Sequence, residues 1–426
     1  MKFDYGKDGI KINLDPSWNV DVFRPKKQKV IKNPVDIIRE NIKDPIGSPP
    51  LLDIVKKKIS SQRVCIVVND ITRPVPSHII LEALVKELNE YGISQAQIDI
   101  LIATGLHRPS SWDEIECIVG KKLTHHINIL GHPANDKVYL KYLGTSSDGT
   151  PIYVNKHFYE CDLKILTGYV EPHFFFGFSG GRKSLTPGIV GEETILGNHS
   201  AENIASPYAR FGIYKENPLH QNSLEIAKKI RVDFIVNVCI NEEHNITQVA
   251  AGDLEKAHEY LVDYQLKHVF REITEPYEIV VCGNGGYPLD LNLYQAVKSM
   301  ALGEMAVKEG GTIISVNECS EGVGIGQDKF KELIFSGITP KDIYEKIVNK
   351  EIIVPDQWEI QVLARVLMKA EIFVVSSLNE NEIGNIGLKY AKSVEEAIEL
   401  ALIKHGKNAR MLFLPKGPQV LPLLKK

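Results

Sequence analysis

Three short stretches of the sequence each follow an apolar run, and each carries an acid, a base or a cation. "NDITRPVP" offers Asp70, Thr72 and Arg73; "TGLHRP" offers Thr104, His107 and Arg108. The third, "EPHFFFGFSGGRKSLTPG", offers His173, Arg182 and Lys183 among four phenylalanines. Histidine titrates near neutrality and is the usual proton carrier. Two histidines at neighbouring strand ends fit a two-base arrangement, able to work on either face of a stereocentre. Arginine grips carboxylates through a bidentate fork, so Arg73 suggests a small carboxylate substrate; its alternative is a simple salt bridge to Asp70.

The lysine stretch resembles a phosphate-binding P-loop, but the frame fails. Gly177 opens it and Lys183-Ser184 closes it, yet Arg182 stands where a glycine must precede the lysine. An anion contact through glycine amides and the Arg-Lys pair remains open. "GNGGYP" (Gly283 to Pro288) has its glycines in the wrong order for a dinucleotide fingerprint, and turn glycines are the better reading. No HExxH occurs. "THHINILGH" holds His125, His126 and His132, expected as exposed loop histidines. His199, in "GNHS", is expected to open a helix.

These residues need elements to position them. "RVCIVVND", "IDILIATG", "LKILTGYV" and "VDFIVNVCI" read as buried strands, as do "YEIVVCGNGG", "GTIISVNE", "EIFVVSSL" and "ARMLFLPKG" further on. Amphipathic segments alternate with them; "HIILEALVKELNEYG" ends on Gly92, as a helix should. The pattern predicts an α/β fold with mainly parallel sheets flanked by helices. A polar stretch, "REITEPYE", suggests domains at 1–273 and 274–426, with the last ~20 residues free to pack back on the first. An active site is expected in the interdomain cleft, beyond the carboxyl ends of the strands. In the second domain, Tyr294, Gln295 and Lys298 fall on one helix face. "MKFDYGKDGIKINLD" reads as a hairpin around Lys7-Asp8-Gly9, not a leader.

The formal net charge of −4 gives no case for nucleic acid or an anionic membrane, and no apolar run approaches spanning length. The six cysteines are scattered without a CxxC pair, which suits a reducing cytoplasm and argues against a disulfide frame or a zinc ribbon.

Taken in order, "NDITRPVPSHI", "ATGLHRPS", "EPHFFFGFSGGRKSLTPG", "GNHS", "NGGYPLDLNLYQAVK" and "PDQW" resemble the nickel-pincer-dependent lactate racemase family. The resemblance implies a 2-hydroxy acid racemase or epimerase. Its cofactor is nickel held in pyridinium-3-thioamide-5-thiocarboxylic acid mononucleotide, built by separate maturation enzymes. It implies Lys183 as the covalent attachment point and His199 as the protein's nickel ligand, where soft donors plus imidazole suit nickel. It implies His107 and His173 as acid–base residues in proton-coupled hydride transfer through a 2-keto acid. Arg73, Tyr294, Gln295, Lys298 and Trp358 would meet the substrate. Asp70, Thr104, Ser179, Gly180, Gly181 and Arg182 would meet the cofactor. Leu106 and Pro172, beside the two histidines, depart from the residues associated with lactate-specific members. Lactate therefore leads, with larger, dicarboxylic or sugar 2-hydroxy acids as alternatives. A nicotinamide-dependent hydroxy acid dehydrogenase is a further alternative, disfavoured by the failed fingerprint.

Overall fold

The computed structural model describes residues 1–58 and 63–425. The chain forms two compact units, one of residues 28–267 and one that joins 1–27 to 268–426. Among the described residues no helix is long and apolar enough to cross a membrane.

The unit 28–267 is built on a six-stranded sheet. Its strands are β1 (Val64–Asn69), β2 (Ile98–Ala103), β3 (Asn128–Leu130), β4 (Leu163–Tyr169), β5 (Phe234–Ile240) and β6 (Ile246–Gly252). Their order across the sheet is β6-β5-β4-β1-β2-β3. All neighbours run parallel except β5 and β6. β2 and β4 are buried at every position, because helices cover both faces and leave no solvated side for polar alternation. The helix Ser77–Glu90 is one such cover, burying Ile80, Leu81, Leu84 and Leu88.

The chain leaves β1 toward β2 and β3, then returns to the other side of β1 for β4, β5 and β6. The strand order therefore reverses between β1 and β4. In open α/β sheets the crevice at such a reversal is where ligands bind. The loops that follow β1 and β4 flank it, and they are the loops that carry Arg73 and Lys183.

The second unit has a parallel six-stranded sheet whose central strands are Tyr277–Cys282 and Val307–Val316. At one edge the strand Asn19–Val22 pairs in parallel with Arg410–Leu414, with Val20 opposite Met411. This moves the first 27 residues away from the 1–273 domain expected from sequence and into the unit of the C-terminal segment. The predicted N-terminal hairpin is present as the antiparallel pair Lys2–Phe3 and Ile10–Lys11. The C-terminal strand Leu421–Leu424 pairs with Phe270–Ile273 within the same unit. Gly283 and Gly286 meet protein backbone instead of open space: an added Cβ would lie 2.6 Å from the Val316 carbonyl oxygen and 2.9 Å from that of Gly6.

Candidate active site

The β1 loop and the β2 loop meet at one hydrogen bond. Asp70, the first residue beyond β1, is buried and accepts from Thr72 Oγ1 at 2.7 Å. Its other oxygen lies 2.7 Å from His107 Nδ1. Burial pushes the Asp70 carboxyl up, but the bonds from His107 and Thr72 and the nearby Arg73 charge outweigh it and hold the group below its usual range. The His107 ring is half exposed. With Nδ1–H given to a carboxylate, the neutral ring carries its lone pair on Nε2, the arrangement of a proton acceptor. Arg73 donates to the Thr72 carbonyl oxygen at 3.2 Å. The hydrogen bonds to Asp70 come from Thr72 and His107, while Arg73 acts on it through its nearby charge. Thr104 is buried and donates to the His132 carbonyl oxygen at 3.2 Å.

His132 itself corrects the expectation of an exposed loop histidine. It is buried, with Nε2 2.9 Å from the Val190 carbonyl oxygen, and burial lowers its pKa to about 4.

The loop after β4 turns back on itself as a short antiparallel pair, Pro172–His173 with Gly177–Phe178. The pair stands His173 against Phe174 and Phe175, with ring centroids 5.0 and 4.7 Å away. The Phe176 amide donates to His173 Nδ1 at 3.3 Å. A ring that accepts at Nδ1 carries its hydrogen on Nε2 when neutral. His107 and His173 are thus prepared in opposite senses, one presenting a lone pair and the other an N–H.

Lys183 sits in a single 3-10 turn, Gly181–Ser184, not at the head of a long helix as a P-loop lysine would. Its Nζ lies 4.4 Å from the centroid of the Phe176 ring. The His199 ring lies 5.8 Å from the same ring, so lysine and histidine share one aromatic neighbour. His199 closes the helix Glu192–Asn198 instead of opening one. It is buried, and Nδ1 lies 3.1 Å from the Ile195 carbonyl oxygen. A carbonyl only accepts, so Nδ1 carries the hydrogen and the lone pair sits on Nε2. Burial, then the Lys183 charge, lower its pKa to about 3. At neutral pH the ring is therefore neutral, the form that binds metals.

The other residues of this loop hold the turn. Ser179 donates to the Tyr169 carbonyl oxygen at 2.9 Å and accepts from the Glu171 amide at 2.9 Å. Gly180 and Gly181 have φ of +74° and +53°, and a Cβ would lie 2.7 Å from Val170 or 2.8 Å from the His258 ring. Their freedom is needed for close protein packing. Arg182 is the largest fully buried side chain. It donates to the Phe178 carbonyl oxygen at 3.1 Å and lies 3.2 Å from His258 Nε2. Burial brings its pKa down to about 10. The expected cofactor contact from the Arg182 side chain is corrected accordingly: the guanidinium is turned inward and fastens the loop.

In the other unit, the helix Leu293–Glu304 carries Tyr294, Gln295 and Lys298. Lys298 Nζ donates to Gln295 Oε1, and the Tyr294 hydroxyl donates to Asp356 at 3.1 Å. Trp358 and Glu359 begin the helix Gln357–Lys369. Glu359 is buried, and its Oε1 has no hydrogen-bond partner among the described residues. Burial pushes its carboxyl up to about 8, against the pull of the Lys298 charge. Sequence reading missed Glu359 and the Asp70–His107 bond. The first had only its place beside Trp358 as a signal; the second joins loops from separate strands.

The family model for the lactate racemase N-terminal domain matches residues 5–212, and that for the C-terminal domain matches residues 273–421. The chain belongs to the lactate racemase family. It is an isomerase of that racemase type. Curated relatives agree along nearly the whole chain. The lactate racemase of Thermoanaerobacterium thermosaccharolyticum is 35% identical over 99% of this chain and 98% of its own length. That of Lactiplantibacillus plantarum is 36% identical over 91% and 90% respectively. The solved lactate racemase apoprotein from T. thermosaccharolyticum superposes with a TM-score of 0.90 at 33% identity, covering 100% of this chain and 99% of the other. A Thermotoga maritima protein at 21% identity and a TM-score of 0.68 shares the fold, covering 93% of this chain and all of its own.

Proposed function

We propose that the chain racemises a small 2-hydroxy acid, with lactate the leading substrate, around the crevice between β1 and β4. The observation that carries this reading is the pair of oppositely prepared histidines, His107 and His173, on loops beside a lysine and a neutral histidine that share Phe176. The names of the full-length relatives supply the substrate class.

The donor set fits a nickel-pincer pyridinium mononucleotide. His199 would offer Nε2 to nickel, and Lys183 would hold the nucleotide through a thioamide. The amides of Ser179, Gly180 and Gly181 lie in the same loop. When bound, the group supplies a reversible two-electron acceptor for the α-hydrogen, which a histidine alone removes with difficulty beside a carboxylate. The chain's own residues do the rest. His107, held by Asp70, takes the hydroxyl proton at Nε2. His173 supplies a proton from Nε2 to the carbonyl oxygen of the 2-keto acid once it has turned its opposite face, which restores the hydroxyl. Arg73 holds the carboxylate. Tyr294, Gln295, Lys298 and Trp358 are assigned to the substrate by their family positions. The cofactor's maturation enzymes are the partners this reading requires, and the cytoplasm is the expected compartment.

The test uses lactate deuterated at the α-carbon and protein co-produced with those enzymes. Chiral chromatography with mass detection should show inversion with the deuterium retained. Inversion with loss of label to water would mean direct α-proton removal and would sink the redox reading. Net oxidation dependent on added NAD would favour the dehydrogenase instead.

A further inference from the structure

A second cluster of metal-ligating atoms lies at the opposite, amino edge of the same sheet. Cys65 is the second residue of β1 and Asp99 the second of β2, and the two are paired in register. Paired positions on neighbouring strands face the same side of a sheet. His157 and Cys161 come from the short helix Lys156–Glu160 and the residue that ends it. They are four apart, so one helical turn puts them on one face. Cys65, Asp99 and Cys161 are buried and His157 is partly so.

The geometry is that of ligands converging on a point. His157 Nε2 lies 2.9 Å from Asp99 Oδ2 and 3.7 Å from Cys161 Sγ. One donor atom from each of the three residues falls within 4.8 Å of the others. Around a tetrahedral zinc ion, donors at the usual bond lengths stand roughly 3.4–3.8 Å from one another. A nucleophilic Cys-His-Asp relay is excluded, because it needs thiol and carboxylate on different ring nitrogens, and here both address Nε2. Cys65, in register with Asp99, presents a second sulfur on the same face of the sheet.

We propose that Asp99, His157 and Cys161 bind a zinc-class divalent cation that clamps the Lys156–Glu160 helix to the amino edge of the sheet. The charges suit it. One thiolate, one carboxylate and a neutral imidazole balance a divalent ion. The cationic neighbours are Arg63, on Asp99 Oδ2 at 2.9 Å and largely exposed, and Lys164, which donates to the Cys161 carbonyl oxygen at 2.6 Å. Asn128 holds the other Asp99 oxygen at 2.6 Å and would orient the carboxylate as an outer partner does.

The test takes the full chain, made without maturation enzymes and carrying His199→Ala to remove the other candidate ligand. Cobalt(II) is the probe. One equivalent should bind with a thiolate-to-cobalt charge-transfer band and raise the melting temperature. His157→Ala and Cys161→Ser, shown folded by circular dichroism, should each weaken binding by more than about 100-fold, since even outer-shell partners are worth 10–100-fold. Absence of binding, or a band unchanged in either variant, overturns the site. Should a variant not fold, zinc-edge X-ray absorption on the chain with its cysteines intact decides. Sulfur at about 2.3 Å supports the site, and a shell of nitrogen and oxygen alone refutes it.

Discussion

Oδ2 of Asp70 lies 2.7 Å from Nδ1 of His107, and this bond ties together the loops that leave two adjacent strands. It makes Asp70 a positioning residue for the proposed base, a role different from the cofactor contact expected of it. Asp70→Asn keeps the shape but can present its amide nitrogen to His107 and select the wrong tautomer. Racemisation should fall in kcat by about 10²-fold, within the span of a general acid–base contribution, with KM little changed and cofactor loading intact. Asp70→Glu should recover part of the loss. An Asp70→Asn protein that loses the cofactor adduct by intact mass would return Asp70 to the cofactor.

Lys183 and His199 should separate in their effects. Lys183→Ala should carry no adduct of mononucleotide size after co-production with the maturation enzymes. His199→Ala should lose nickel while its melting temperature shows that the fold persists. A normal adduct mapped to another peptide in Lys183→Ala would overturn the covalent assignment.

His107→Ala and His173→Ala should each retain nickel, measured by elemental analysis, and lose racemisation by about 10²–10⁴-fold. Nickel lost with either ring would make that histidine a metal or structural residue.

Glu359 gives a pH prediction whose sign follows from burial. Its folded pKa, about 8, stands above the ordinary glutamate value of 4.5. The stability this group contributes is complete below the unfolded value and is lost as pH rises through the folded one. Melting temperature against pH should therefore show the native chain declining relative to Glu359→Gln across that window. Parallel curves from pH 5 to 9 would show that the carboxyl is ionised, and stabilised, in the folded protein.

The sheets were legible because buried parallel strands read as continuous apolar runs: all six positions of "IDILIA" are buried. The loops that carry His107, His173 and Lys183 were legible because the chemistry of such sheets gathers beyond the carboxyl ends of strands. What local pattern could not reveal was pairing between distant segments. Nothing near Asn19–Val22 announces a partner at Arg410–Leu414, and half-exposed alternation there resembles any edge. Arg182 misled for a related reason. Beside a lysine and two glycines it looked aimed at an anion, whereas its terminal nitrogens turn inward to carbonyl oxygens of its own loop. Asp99 lies on a strand far in sequence from the turn that carries His157 and Cys161, so no spacing rule brings the three together.

The strand Asn19–Val22 also sets an order of events during synthesis. Its partner, Arg410–Leu414, is synthesised only after all of residues 28–267, so the unit that holds both strands stays incomplete until that later segment has left the ribosome. Residues 28–267 are contiguous and contain Lys183, His199 and the two proposed acid–base histidines. Domains fold as units while the chain emerges. The half of the protein that bears the proposed attachment lysine is thus the half that matures first on the ribosome.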